Sequence, residues 1–379
     1  MTQTSLMEPE FDKLLRRLPS SLDLEASARA SGALRRRREV RSASSLLRLA
    51  LAYAAGALSL RGTAAWASLG AVASLSDVAL LNRLRGSASW LGEIVAAILC
   101  ARVGAQPCSG EDRVVRLVDA TSLSAPGSRK SDWRVHLAYR LGRAPRIEQI
   151  TLSDGQGAES LGRFACAPGD ITIGDRGYAK AGDLAEMRAQ GADFIVRTGW
   201  NAVRLRTCAG APFDLFGALD GLPEHGTASL PLAVAIDRAE RRLLPVRLIA
   251  LRLDEETAAR NRRRARAKSR RQGKTPRAET LCAAGYVLLL TSLEDDVIAA
   301  REVLALYRLR WQVELVFKRL KSLLDLDRLP AKDPDLARSW IYAKLIAALL
   351  LEDMTGPVAD SPPWAQANRL PVAHPAPAV

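Results

Sequence analysis

A chain of 379 residues is long enough for two or three domains, and with 48% hydrophobic and 25% charged residues it falls in the globular soluble class. Its net charge of +14 favours a polyanion as partner, nucleic acid first, although a merely basic soluble protein is the open alternative. Five cysteines without a Cys-x-x-Cys pair and only three histidines argue against zinc knuckles, disulfide frameworks, histidine-rich metal sites and Ser-His-Asp triads.

The N-terminal part of the chain predicts neither a signal peptide nor a membrane span. Residues 8–12 are mostly acidic, and the longest apolar run, residues 49–60, lies between Arg48 and Arg61 and is too short to cross a bilayer. We therefore expect a cytoplasmic protein without membrane contact.

Residues 1–110 predict a helical N-terminal region that binds DNA. Ser76 and Asp77 suit the cap of a helix that runs to Leu84. Short helices, tight turns and clustered arginines are typical of a helix-turn-helix DNA reader. An ordinary helical bundle is the open alternative, because no recognition code is readable in this region.

Residues 111–200 predict the first part of an α/β core with a mixed sheet. Buried or alternating strands are expected at the segments 114–120, 134–141, 147–152, 171–173 and 193–197. Helical segments are expected after the third and the fourth of these strands. The predicted order is therefore three strands, helix, strand, helix, strand.

Residues 201–292 predict a β-rich insertion domain that carries a basic arm. The arm, residues 260–277, holds ten cations and no acid. A solvated helix or loop is one interpretation. We favour a phosphate-contacting arm, because charge at this density repels itself unless a polyanion neutralises it.

Residues 293–353 predict the second, helical part of the core, and residues 354–379 are rich in Pro and Ala. The tail has few residues that could join a core, so it is expected to be disordered.

Residues 307–326 predict one amphipathic helix with a polar stripe beside its buried face. With 3.6 residues per turn, the four members of the stripe fall within about 60° of one another; they are Tyr307, Arg310, Glu314 and Lys321. An i to i+4 ion-pair row would explain Arg310 and Glu314 but not the tyrosine or the lysine. The stripe is therefore predicted to line a cleft.

Two aspartates are candidates to join Glu314 in that cleft. Asp119 is expected at the end of the first strand and Asp175 directly after the fourth, where open sheets place functional side chains. Each alone is more typical of a turn or a helix cap. Three converging carboxylates need a cation, and hard oxygen ligands select Mg²⁺ or Mn²⁺, two of which can drive phosphoryl transfer. Arg310 and Lys321 would grip a phosphate there, and Tyr307 would add a hydroxyl donor or a stacking face.

These residues resemble a known family. The spacing Tyr-x2-Arg-x3-Glu-x6-Lys is similar to the signature of the insertion-sequence-four family of DDE transposases. The sequences "VDAT" around Asp119 and "GDRGYA" around Asp175 resemble that family's first and second acid motifs. The resemblance covers roughly residues 70–353. It implies a ribonuclease H-like core interrupted by a β-rich insertion domain.

The resemblance also implies an activity, which is metal-dependent cut-and-paste transposition. Asp119, Asp175 and Glu314 would hold two Mg²⁺ (or Mn²⁺) ions, and Tyr307, Arg310 and Lys321 would hold the 5′ phosphate near the cleaved end. Water would cut one strand, and the freed 3′-OH would attack the opposite strand to give a hairpin. Water would reopen the hairpin, and the 3′-OH would then attack target DNA. The implied partners are double-stranded DNA, at the element's ends and the target, and a second copy of the chain in a homodimer. The implied place is the nucleoid.

The family uses an aromatic side chain of the insertion domain to stabilise a flipped base. Tyr286 and Trp200 are the candidates here, with core packing as the alternative role for each.

Two alternative functions stay open. The Pro-rich tail replaces the further helical sequence that family members carry, so the chain could be a catalytically inactive, truncated copy that only binds DNA. A ribonuclease H-like nuclease that cleaves without strand transfer is the other alternative, and the Tyr-Arg-Lys group argues against it.

Overall fold

A single nine-stranded mixed sheet runs through the computed structural model, which describes residues 11–56, 58–104, 113–142 and 144–355. The nine strands are β1 (Val115–Leu123), β2 (Trp133–Arg140), β3 (Arg146–Asp154), β4 (Ile171–Gly174), β5 (Asp193–Arg197), β6 (Leu205–Arg206), β7 (Thr227–Ala235), β8 (Leu243–Arg252) and β9 (Tyr286–Thr291). Nearly all of the Pro- and Ala-rich tail lies outside the described residues, so its predicted disorder stays a prediction.

Helices precede the sheet, and five of them lie wholly within the described residues. They are α1 (Leu24–Ala30), α2 (Ala43–Ala55), α3 (Leu60–Leu69), α4 (Asp77–Arg85) and α5 (Ala88–Gly104). The helices α2, α3 and α4 begin after serines, each of which accepts a hydrogen bond from the backbone N–H three residues later. The predicted cap at Ser76 is thereby confirmed, and the helices listed above lie in the described part of this region.

The remaining helices lie between and after the strands. They are α6 (Ala181–Ala189), α7 (Leu215–Leu219), α8 (Glu255–Arg271), α9 (Ala278–Ala283), α10 (Ala300–Arg308), α11 (Trp311–Leu324) and α12 (Pro334–Thr355). The predicted helix after the third strand is wrong, since only a short 3₁₀ turn, Leu161–Arg163, forms there. The chain instead runs beside the outermost strand, β3, where Gln149 holds the backbone of Ala165 through two hydrogen bonds of 2.8 Å.

The strand order β3-β2-β1-β4-β5-β9-β8-β7-β6 fixes which strand ends meet. Strands β1, β4 and β5 are parallel, and β9 is antiparallel to both β5 and β8. Consequently β1, β4, β5 and β8 all end at one edge, which we call the carboxyl edge. The strands of residues 205–291 continue the same sheet.

The two faces of the sheet pack against different helices. Leu117, Ile173 and Ile195 belong to a buried cluster that also contains side chains of α2, α5, α11 and α12. Val118, Phe194 and Val196 point to the other face, where they join Tyr178 and side chains of α6. This alternation follows from the two-residue period of a strand.

Residues 307–326 do not form one helix, contrary to the prediction. α10 ends at Arg308 and α11 begins at Trp311, with Leu309 and Arg310 between them. At this junction the N–H groups of Leu309, Arg310 and Gln312 bond to carbonyls three residues earlier, at 3.0, 3.0 and 2.9 Å. These shorter-range bonds interrupt the α-helical pattern and separate the two helices.

Among the described residues, no single helix has the length and apolar character needed to cross a membrane. The bent pair formed by Asp77–Arg85 and Ala88–Arg102, with 54° between its parts, meets those two criteria jointly.

Candidate active site

Asp119 lies inside β1 rather than at its end. It is paired with Leu137 of β2, but the pairing of β1 with β4 stops at Leu117. Asp119 therefore stands two residues beyond the point where β4 leaves β1, on the sheet face that carries Leu117. The helix α11 covers that face, since Val313 and Phe317 pack in the same cluster as Leu117. The carboxylate accepts a 2.8 Å hydrogen bond from the N–H of Ala120.

Asp175 directly follows β4, as predicted, and precedes a 3₁₀ turn, Arg176–Tyr178. Its Oδ1 accepts a hydrogen bond of 3.2 Å from the hydroxyl of Tyr307. The two glycines around it are closely packed. A Cβ on Gly174 would come within 3.0 Å of Tyr178, and one on Gly177 would overlap the carboxylate of Glu159 at 1.6 Å.

Arg310, in the junction between α10 and α11, connects the predicted residues. Its guanidinium hydrogen-bonds Glu314 and lies 3.8 Å from Oδ2 of Asp119. It also lies 5.9 Å from the ring centre of Tyr307, within the range of a cation–π contact. The break in the predicted helix thus carries the arginine that meets both carboxylates.

The carboxyl group of Asp119 holds its proton unusually well. Its pKa is raised to about 6, mainly by burial and to a smaller extent by the negative charges of Glu159 and Glu314, against the lowering effects of the N–H of Ala120 and of Arg310. Burial raises the pKa of Tyr307 to about 12, with Asp175 as a second cause, so its hydroxyl is a donor at neutral pH. Burial alone would lower the pKa of Arg310, but Tyr307 and Glu314 raise it above its usual range.

A cleft of about 580 Å³ opens between β1 and α11. Asp119, Glu314 and Lys321 lie in its wall, and further charged residues complete it, namely Lys318, Asp325, Asp327 and Arg328. Asp175 is not among the described residues that line the cleft, and its carboxylate instead contacts the hydroxyl of Tyr307. The cleft mixes cations and carboxylates, a combination suited to a phosphate held beside oxygen ligands.

Within the described ranges, no group of three or more His, Cys, Asp or Glu side chains is close enough to hold a metal ion. Asp119 and Glu314 share one guanidinium, and Asp175 is connected to it through Tyr307. All three acids offer the hard oxygen ligands that Mg²⁺ and Mn²⁺ prefer. Burial is the main cause of the raised pKa of Asp119, and the nearby charges of Glu159 and Glu314 add to it. The donor chemistry therefore fits a divalent ion.

Sequence reasoning missed Glu159, a fourth acid beside this site. It lies against Gly177, 3.9 Å from Arg134, and its charge raises the pKa of Asp119. It stands in a loop with no spacing pattern. The glycine at position 177 in "GDRGYA" is the only sequence signal that could have indicated a closely packed neighbour.

The two aromatic candidates for base stabilisation both have packing partners. The indole N–H of Trp200 donates to Thr280 at 3.2 Å, and its ring lies 6.1 Å from that of Phe216. The hydroxyl of Tyr286 donates to the carbonyl of Leu219 at 3.4 Å. Both are half-buried against the second face of the sheet, which agrees with the packing alternative.

Comparison with known proteins matches residues 110–350 to the family model described as "Transposase DDE domain". The InsL protein for insertion sequence element IS186A of Escherichia coli strain K12 is 45% identical over 347 residues, which are 90% of this chain and 92% of that protein. The transposase for insertion sequence element IS421 of Escherichia coli is 45% identical over 348 residues, with the same coverage.

A more distant relative matches only part of the chain. The transposase for insertion sequence element IS231F of Bacillus thuringiensis subsp. israelensis is 27% identical over 198 residues, 48% of this chain and 41% of that protein. The similarity to the proteins of IS186A and IS421 does not favour the alternative that this chain is an inactive copy that only binds DNA. The mixed α/β sheet is consistent with the fold of such enzymes. This chain belongs to the DDE transposase family, and it is the transposase of an insertion sequence.

Proposed function

We propose that this transposase belongs to the insertion-sequence-four group and moves its element by metal-dependent cut-and-paste phosphoryl transfer. A DDE transposase domain implies, in general, a DNA-cleaving enzyme that depends on a divalent metal. The finer proposal rests on one observation: Arg310 contacts Asp119 and Glu314 while Tyr307 contacts Asp175. These contacts link residues separated by up to 195 positions at the carboxyl edge, and they support the proposed roles of the signature residues.

In this proposal Asp119, Asp175 and Glu314 hold two Mg²⁺ or Mn²⁺ ions per site. Bound there, the ions would activate a water and stabilise the leaving oxygen. Arg310 leaves the carboxylates and takes the 5′ phosphate as a fork, while Lys321 adds a point charge from the wall of the cleft. Tyr307, protonated at neutral pH, keeps Asp175 oriented and can donate to a phosphate oxygen.

The reaction course and assembly follow the resemblance. The element's end is nicked, the 3′-OH forms a hairpin, water reopens it, and the 3′-OH attacks target DNA. The partner is double-stranded DNA at ends and target, and a homodimer acts in the complex at the nucleoid. The +14 net charge supports a DNA partner.

A cleavage and strand-transfer assay with DNA of the element's ends tests the proposal. Wild type, Glu314→Gln and Glu186→Gln are compared with and without Mg²⁺. Glu186 is an exposed acid on α6 and serves as the matched control. We expect Mg²⁺-dependent nicks and joined products from wild type and Glu186→Gln, and neither from Glu314→Gln.

Three results would contradict the proposal. DNA binding by wild type without cleavage would leave only a DNA-binding protein. Cleavage without joined products would indicate the nuclease alternative. Full activity of Glu314→Gln would remove this residue from the catalytic centre.

A further inference from the structure

The basic segment predicted between residues 260 and 277 is largely a helix, α8, which spans Glu255–Arg271. Its start is fixed to the protein. Asp254 accepts a 2.7 Å hydrogen bond from the N–H of Thr257, Ala258 is buried, and Asn261 donates to the carbonyl of Ala284 at 3.2 Å. The first turn carries two acids, and Arg262 pairs with one of them, Glu255, at 2.6 Å.

Beyond Arg262 the helix carries cations without counter-ions. Six of its side chains are exposed and, within the described part of the chain, have no carboxylate at ion-pair distance; they are Arg263, Arg264, Arg266, Lys268, Arg270 and Arg271. At 100° per residue they cover an arc of about 200°. Ala258, Asn261, Ala265 and Ser269 occupy the opposite side and are less exposed. The six cations form one continuous basic surface on α8, and from here on the name basic arm is restricted to this part of the predicted arm, residues 263–271.

The register of the sheet locates the start of this arm. Gly174 pairs with Val196, Val196 with Leu290, and Leu290 with Leu248. Leu248 on β8 is therefore level with Gly174, the residue before Asp175. β8 ends at Arg252, at the same carboxyl edge as β1 and β4, and α8 follows at once. Three strand spacings, about 14 Å, separate β8 from β4 across the sheet.

From these observations we propose that the basic arm binds the phosphate backbone of the DNA that occupies the catalytic cleft. Six uncompensated cations spread over about 12 Å of helix repel one another unless a polyanion neutralises them. Phosphates of duplex DNA supply one negative charge per about 1.7 Å of axis. Because the arm reads only charge, its contribution is independent of base sequence. The choice of DNA over another polyanion rests on the proposed function, whereas binding itself needs no catalysis.

The chain offers a matched control for a charge-neutralising variant. The turn between β7 and β8 carries three exposed arginines, Arg238, Arg241 and Arg242, at the opposite edge of the sheet. The triple variants Arg263→Gln/Arg264→Gln/Arg266→Gln and Arg238→Gln/Arg241→Gln/Arg242→Gln lose the same net charge. The two variants differ only in the position of the lost charge, so a difference in their DNA binding reports a local contact.

Binding of a fluorescently labelled DNA duplex of arbitrary sequence is measured by anisotropy, in EDTA, between about 50 and 200 mM salt. We expect the arm variant to lower the slope of log K against log salt by about 2 to 3 and to weaken binding on the order of tenfold to a hundredfold at 150 mM salt. The turn variant should stay within about twofold of wild type, and an Arg→Lys triple variant of the arm should retain binding. Equal slopes for all proteins, or equal losses of DNA binding in both Gln variants, would overturn the proposal. The same would follow if the arm variant lost affinity for duplex RNA but not for duplex DNA.

A second measurement uses the wild-type protein and so does not depend on a variant folding. Trypsin cleaves after Arg and Lys, and the exposed arm is a substrate for it. The DNA duplex should slow cleavage within residues 263–271 at low salt, high salt should restore it, and cleavage at residues 238–242 should not change. Unprotected cleavage of the arm in a saturated complex would refute the contact. Because neither readout needs cleavage of DNA, failure of the proposed chemistry and failure of the arm remain distinguishable.

Discussion

Tyr307 shows how a single side chain organises this site without being an acid. Its hydroxyl donates to Asp175, its ring faces Arg310, and burial raises its pKa to about 12. Asp175 otherwise follows a strand in a short turn, where a free carboxylate could rotate. The tyrosine is therefore expected to fix the orientation of this carboxylate.

Replacing Tyr307 with Phe should slow strand transfer by about tenfold, the equivalent of one lost hydrogen bond of roughly 1.4 kcal/mol. DNA binding should be retained, because the ring still faces Arg310. Single-turnover strand-transfer rates measure the effect. Tyr342→Phe, on α12, is the control and should react at the wild-type rate. An unchanged rate for Tyr307→Phe would remove the proposed role.

His136 gives the fold a dependence on pH. It is fully buried on β2, its Nε2 lies 2.9 Å from the hydroxyl of Ser153, and among the described residues its Nδ1 has no partner. Its pKa is lowered to about 4, mainly by burial, with smaller contributions from the positive charges of Arg163 and Arg134. Since the unfolded value is 6.5, the unfolded chain binds this proton between pH 6.5 and 4 and the folded chain does not.

The free energy of unfolding should therefore fall as pH drops through this window, by at most about 3 kcal/mol from His136. Urea unfolding of wild type and His136→Gln at several pH values measures it. Carboxylates titrate in both proteins, so the difference between the two isolates the histidine. Parallel stability curves would mean that His136 does not contribute.

At the scale of elements, periodicity was a good guide to helices and strands and a poor one to their ends. The stripe Tyr307, Arg310, Glu314 and Lys321 was found from helical spacing, yet the helix breaks at Leu309 and Arg310. No Gly or Pro marks the break. The contact observed at the break joins Arg310 to Asp119, which is distant in the chain. Such a contact exists only once β1 and α11 are packed together.

A helix cap depends on residues that are close in the chain, so the sequence was sufficient to predict it. Ser76 accepts a 3.2 Å hydrogen bond from the N–H of Ala79 at the start of α4, as predicted. Ser76→Ala should lower the free energy of unfolding by about 1 kcal/mol, while Ser76→Asp should retain the cap. Urea unfolding compares them, with the exposed neighbour Ser74→Ala as control. A loss in Ser74→Ala as large as that in Ser76→Ala would contradict the assignment.

At the scale of the whole molecule, the strand order could not be read from the sequence. The strands were largely found, but their union into one sheet, with β9 between β5 and β8, depends on pairings distant in the chain. That union places β8 and its basic arm at the edge that holds Asp119 and Asp175. Charge patterning identified the arm, and only the topology related it to the site.

The helical N-terminal region is joined to the sheet and to α12 through Arg102 of α5. This side chain is 6% exposed and bonds Glu352 at 2.7 Å, Asp353 at 2.8 Å and the carbonyl of Ile147 at 2.8 Å. A buried cation with this many partners holds three elements together. Removing it leaves two carboxylates at the end of α12 without their main cation, and burial already raises the pKa of Glu352.

Arg102→Met should therefore lower the free energy of unfolding by about 3 to 5 kcal/mol, whereas Arg85→Met should lower it by at most about 1 kcal/mol. Arg85 is the matched control because it also joins an N-terminal helix to the start of α12, through Asp333 at 2.7 Å, but is 42% exposed. Solvent screens that pair and does not screen Arg102. Urea unfolding followed by circular dichroism compares the two, and losses of equal size would show that burial does not set the strength of this connection.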